Sequence, residues 1–278
     1  MKIRNIDVDQ EEVKRIACFS DFVLDTINTA FKYEIAKLDK KDLISAEPVS
    51  AANISNCPIH KFANIDYCNI ANLIHTIPIY LTKEQPNKCS KKDRETNENK
   101  IDLLGAYFSN QSNGTLYIEI YVQKIKESVK NDTEYKWLFT KVLIHELAHA
   151  ALDIYNWEKF SGINNMPYTP DFGVWREEST ANALTLMIIK RTNNEEFYSY
   201  AKEFMKKQPK EYQLGVLMED FGYETFMSVM RNKIEGVQPD LKKAWLTDVK
   251  KLSREWLKDL NKKPDTSELK EWNKKLTK

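Results

Sequence analysis

The chain has 278 residues, 42% hydrophobic and 11% aromatic, which excludes disorder, collagen-like repeats and disulfide-stapled miniproteins. Its 42 Lys and Arg stand against 41 Asp and Glu, a formal net charge of +1, so no global field draws it to nucleic acid or an anionic membrane. With only 7 glycines and 9 prolines it turns too rarely for an all-β protein, and long helices are expected.

No stretch approaches the roughly 18 apolar residues of a membrane span. From Met1 to Asp9 the chain reaches acids before any apolar run long enough for a signal peptide, so a cytoplasmic location is expected. There Cys18, Cys57, Cys68 and Cys89 would be thiols.

From Asp9 to about Leu38, Val13, Ile16, Phe19, Phe22, Val23, Ile27, Phe31 and Ile35 recur at three- and four-residue steps, predicting one long amphipathic helix. Asn53 to Ile79 has no clean period and reads as irregular or short helix. Glu84 to Lys100 is polar throughout and reads as a surface loop. Leu103 to Phe108 and Thr115 to Val122 flank a turn rich in Asn and Gly, predicting a β-hairpin whose second strand is half-buried. Thr133 to about Tyr155 reads as a strong helix, capped by Asp132 or Thr133.

A loop from Ser161 to Asp171 follows. Gly173 to Arg191, Glu196 to Lys207, Lys210 to Asp220, Tyr223 to Ile234 and Leu241 to Leu260 then read as helices. Three regions are expected: an N-terminal helix with an irregular segment over 1–100, a metal-binding core over 101–195, and a helical subdomain over 196–278. The fold class is α+β, mainly helical, with one small β-sheet. From Asp240 to the end, 12 basic residues outnumber 7 acids, read as a solvated helix face.

The helix at 133–155 contains His145-Glu146-Leu147-Ala148-His149, an HExxH motif. Two histidines four apart lie about 40° apart around a helix and one turn along it, so their imidazoles converge. Glu146 flanks the same spot without replacing either ligand, where a general base belongs. Imidazole nitrogen suits Zn2+, and two of them leave room for a third protein ligand and a water. Asp153, Asp171, Glu177 and Glu178 are the candidates. Asp153 lies about 6 Å further along its own helix than His149, too far for direct ligation. The metzincin pattern HExxHxxGxxH fails, because position 152 is Leu and position 155 is Tyr.

HELAH followed by Trp175-Arg176-Glu177-Glu178-Ser179-Thr180-Ala181-Asn182 resembles the gluzincin clan of zinc metallopeptidases, in its small, single-domain form. The likeness covers roughly residues 101 to 195 and implies a zincin-like fold. It also implies that the third ligand is a glutamate on the next helix, with a polar residue four positions on supporting a zinc histidine. Taken onto this chain, it makes Glu178 the ligand and Asn182 the support, where the clan has Asp. His145, His149 and Glu178 would then hold zinc, and Glu146 would activate water.

In zincins a strand before the metal helix borders the cleft, and Thr115 to Val122 holds that place in the chain. An extended peptide or protein substrate is therefore expected to pair with its free edge. An oxyanion donor is also needed, and Tyr168, Tyr212, Tyr223 and Arg176 are candidates. The competing reading is a latent or non-catalytic zincin-like protein, its cleft filled by the C-terminal helices or by the tail after Pro264. Cys57, His60, Cys68 and His75 form no compact finger spacing and read as packing. No helix-turn-helix is recognisable, so no nucleic-acid partner is expected, and no membrane either.

Overall fold

Five short strands pair into one open, mixed sheet in the computed structural model, which describes residues 3–31, 44–48, 77–84, 103–110, 115–159, 170–209 and scattered positions beyond. They are β1 (Ile3–Asn5), β2 (Ile44–Pro48), β3 (Ile79–Thr82), β4 (Gly105–Asn110) and β5 (Thr115–Tyr121), in the order β2-β1-β3-β5-β4. β1 runs parallel to β2 and β3, β3 parallel to β5, and β4 antiparallel to β5. The predicted hairpin is thus present, its turn at 111–114 lying outside the described residues.

Two expectations for β5 are corrected. It is not an edge strand, because β3 and β4 pair with its two sides; among the described residues the edge strands are β2 and β4. Nor is its second half exposed on one face: Ile118 and Ile120 are buried on one side and Glu119 and Tyr121 on the other. Strands parallel to their neighbours lie between layers and lose the alternation of a solvated face. Val122, expected to end the strand, begins the short helix α3 (Val122–Glu127), counted after α1 and α2 below.

The cross-strand rows define the two faces. Ile3, Ile79, Ile118 and Tyr107 share one row, and Asn5, Leu81, Ile120 and Gly105 the next on the same face. Arg4, Tyr80, Glu119 and Ala106 form the intervening row on the opposite face.

The long N-terminal helix is broken into α1 (Gln10–Cys18) and α2 (Ser20–Phe31), while 32–38 lie outside the described residues. Phe19, at φ −113° and ψ 17°, leaves the helical track. Its ring meets Tyr135 and Phe139 edge-on, at centroid distances of 5.7 and 5.5 Å. Aromatic packing across the core therefore overrides an unbroken helical period. Nearby, Glu12 accepts from Lys126 at 2.9 Å, and Arg15 pairs with Asp132 and covers the Tyr135 ring. Burial alone would raise the Glu12 pKa, but bonding to Lys126 and the charges of Lys126 and Arg15 hold it below the usual value.

α4 (Asp132–Lys159) starts one residue earlier than expected and takes a different cap. Asn131 Oδ1 accepts the Glu134 N–H at 2.9 Å, and Glu134 Oε2 accepts the Lys130 N–H at 2.9 Å. One free donor of the first turn is thereby satisfied by the cap, and the Glu134 side chain in return ties down the residue before it. From Leu138 to Ala148 every residue is buried, so this part of α4 is a core element on all sides.

α5 (Pro170–Arg191) and α6 (Glu195–Lys206) follow the predicted helices closely. Between them Asn193 adopts φ 56°, and Asn194 caps α6 through its side-chain oxygen and the Phe197 N–H at 3.0 Å. Beyond 209, residues 212–213 and 215–216 and several later described positions are helical, while 223–234 lie outside the described residues. The chain divides into two compact units. One is Met1–Ile154 with Ile188–Tyr200 and holds the sheet; the other is Tyr155–Met187 with Ala201–Lys278. No helix among the described residues is long and apolar enough to cross a membrane.

Candidate metal centre

Positions 142, 145, 146 and 149 recur at three- and four-residue steps, so they form one stripe along α4. The stripe carries Val142, His145, Glu146 and His149. The two imidazoles stand nearly perpendicular, at 86°, with their Nε2 atoms 3.1 Å apart. Two nitrogens on one tetrahedral ion at about 2.0–2.1 Å would be separated by about 3.3 Å, so the rings are close to a shared coordination shell.

Glu178, from α5, completes the group: one ligand atom each from His145, His149 and Glu178 lie within 4.8 Å of one another. His145 is buried and the other two are half-buried. Two imidazole nitrogens and a carboxylate oxygen suit zinc and leave a fourth position for water. The cluster is geometrically suited to hold a catalytic zinc and is consistent with a gluzincin-type HExxH site. The side chains of Asp153, Asp171, Arg176 and Glu177 lie outside what is described, as do Cys57, His60, Cys68, His75, Tyr168 and Tyr223.

Glu146 is 6% exposed. β4 approaches it closely at Gly105: a β-carbon there would stand 3.2 Å from Glu146 Cγ, 2.8 Å from Val142 Cγ1 and 3.1 Å from the Glu119 carbonyl oxygen. Sequence reasoning missed Gly105. The available signal was an isolated glycine opening a strand pattern, which often marks close backbone approach.

Asn182 is fully buried on α5, on one stripe with Glu178 and Thr185. Its Nδ2 donates to the Tyr212 carbonyl at 2.8 Å, which fixes the orientation of the amide. Its Oδ1 is buried, with no hydrogen-bond partner among the described residues. Gly215 presses against the same residue, a β-carbon there falling 2.6 Å from Asn182 Cβ. An aspartate, usual in the clan, could not donate to the Tyr212 carbonyl, so the amide gives this chain a bond that the acid would lack. Tyr212 is nearly buried and donates its backbone N–H to the Pro209 carbonyl at 2.9 Å.

A second buried carboxyl lies on the sheet. Glu119 Oε2 accepts from the Tyr121 hydroxyl at 3.1 Å. Burial raises its pKa, the Tyr121 bond opposes the rise, and the charge of Asp7 adds to it. No family model, no curated protein and no solved structure matches this chain.

Proposed function

We propose that this protein is a zinc-dependent metallopeptidase. The observation that carries the reading is the convergence of one ligand atom each from His145, His149 and Glu178, on successive helices, to within 4.8 Å of one another. No feature of the described residues favours the latent alternative.

Zinc bound by these three side chains supplies a Lewis acid and lowers the pKa of a coordinated water to about 7. The chain's own residues do the rest. Glu146 takes a proton from the attacking water as the new C–O bond forms. It passes that proton to the leaving amine as the C–N bond breaks. Asn182 steadies the helix that carries Glu178 through its bond to the Tyr212 carbonyl.

The substrate class follows from the open side of β4. The Tyr121 N–H donates to the Leu104 carbonyl at 2.9 Å, and Gly105 lies opposite Ile120. In an antiparallel ladder this makes Gly105–Ile120 a non-hydrogen-bonded pair, so the N–H and C=O of Gly105, Tyr107 and Ser109 point away from β5. Among the described residues no strand takes that side. An extended peptide added there runs beside Glu146, its backbone bound whatever its sequence.

The test is metal analysis and hydrolysis of a mixed quenched-peptide library by the zinc-loaded wild type beside Glu146→Gln. The variant is expected to keep one zinc per chain and lose cleavage. Cleavage at the wild-type rate by the variant would overturn the reading, as would a wild type that holds no zinc.

A further inference from the structure

Gly105 combines two properties that no other described glycine has. Its backbone N–H and C=O point away from β5 although the residue itself is buried, and its α-carbon sits directly against the helix stripe that carries Glu146. The approach is too tight for any side chain. A β-carbon 2.8 Å from Val142 Cγ1 and 3.1 Å from the Glu119 carbonyl oxygen forces strand and helix apart, and at 3.2 Å from Glu146 Cγ it pushes on the base itself. Neither relief is easy. Val142 and Glu146 are buried on a helix that is core on all sides from 138 to 148, and the Glu119 carbonyl belongs to the central strand β5.

We infer that Gly105 is a positioning residue of the reaction: its missing side chain sets how closely a peptide held on β4 lies to Glu146. The inference rests on the peptidase reading and deepens it. A peptide paired with the half-exposed stretch of β4 that begins at Ala106 continues the same sheet, so its height over Val142 and Glu146 is set where Gly105 meets them. The edge strand's height over α4 therefore fixes the distance between the attacked carbonyl and the carboxylate that activates water. A displacement of about 1 Å at such a site costs up to about 100-fold in rate, and it acts on turnover more than on ground-state binding.

The experiment compares zinc-loaded full-length wild type, G105A, V142A and G105A/V142A on one quenched peptide that the wild type cleaves. It reads kcat, KM, zinc affinity by chelator competition, and melting temperature. G105A is expected to lose about 10- to 100-fold in kcat with KM changed less than about threefold. Its zinc affinity should match the wild type, because no metal ligand touches the new methyl group. Val142→Ala removes the nearest clashing atom but leaves those at the Glu119 carbonyl and at Glu146, so the double variant should regain part of the melting temperature and none of the turnover. Recovery of kcat together with melting temperature would overturn the inference, reducing Gly105 to a packing residue. Wild-type kcat in G105A would overturn it too, while inactive E146Q beside it leaves the peptidase reading standing. A Glu146→Gln variant as active as wild type sinks that reading, and the inference with it.

Discussion

Glu119 and Glu146 are withdrawn from solvent to the same degree, 6% exposed each, yet their surroundings differ in kind. Glu119 sits in the middle of the sheet with a tyrosine hydroxyl for company and a raised pKa, so folding favours its neutral acid form. Glu146 stands in a helix stripe beside two histidines suited to hold a metal ion, with Gly105 of β4 close against it. Equal burial thus accompanies a packed acid on the sheet in one place and, in the proposed reading, a general base in the other. What separates them is a convergent set of ligands and an accessible strand edge, and neither can be read from exposure alone.

The same amide swap at both positions sharpens the contrast. Glu146→Gln is expected to lower kcat by about 1000-fold or more with zinc retained, as loss of a positioned proton acceptor does. Glu178→Ala should weaken zinc binding by more than the roughly 10- to 100-fold that loss of an outer supporting group costs, measured by chelator competition. Full zinc affinity in that variant would detach Glu178 from the site. Asn182→Asp turns a donor into an acceptor facing the Tyr212 carbonyl. It should destabilise the zinc-free chain by about 1–3 kcal/mol in a denaturant melt, and an unchanged midpoint would show that the Tyr212 bond is not the role of Asn182.

Glu119→Gln completes the pair with the smallest effect and the opposite sign. Because folding raises the Glu119 pKa above its ordinary 4.5, the native state holds the proton more tightly than the unfolded chain. Its contribution is therefore present at acid pH and is lost as pH rises from that ordinary value through the raised one. The substituted amide cannot ionise and keeps an acceptor for the Tyr121 hydroxyl. The variant's melting temperature should match wild type at about pH 4 and exceed it at about pH 8. A lower melting temperature at both pH values would show that Glu119 is held as a needed charge.

The metal cluster was legible because its spacing is a geometric instruction: four residues along one helix, then an acid on the next. The helices around it were legible for the same reason, their apolar period persisting for many turns. β1, β2 and β3 were not, since strands of only three to five residues show neither the length nor the alternation that marks a strand in sequence. The break at Phe19 is invisible locally, because Ile16, Phe19, Phe22 and Val23 keep the helical rhythm straight through it. Only partners more than a hundred residues away, Tyr135 and Phe139, turn the chain there. The hydrogen bond from Asn182 to Tyr212 spans thirty residues and leaves no pattern in either segment.

The ties around Phe19 also set an order of assembly. Glu12 waits 114 residues for Lys126, and Arg15 waits 117 for Asp132. During synthesis the first helices emerge from the ribosome long before the segments that lock them, so this part of the molecule has a high contact order and closes slowly. His145 and His149 come after that closure in the chain, and Glu178 later still. The three side chains suited to hold an ion are thus synthesised only after the segments that lock the first helices, whereas a finger domain depends on its metal to fold at all.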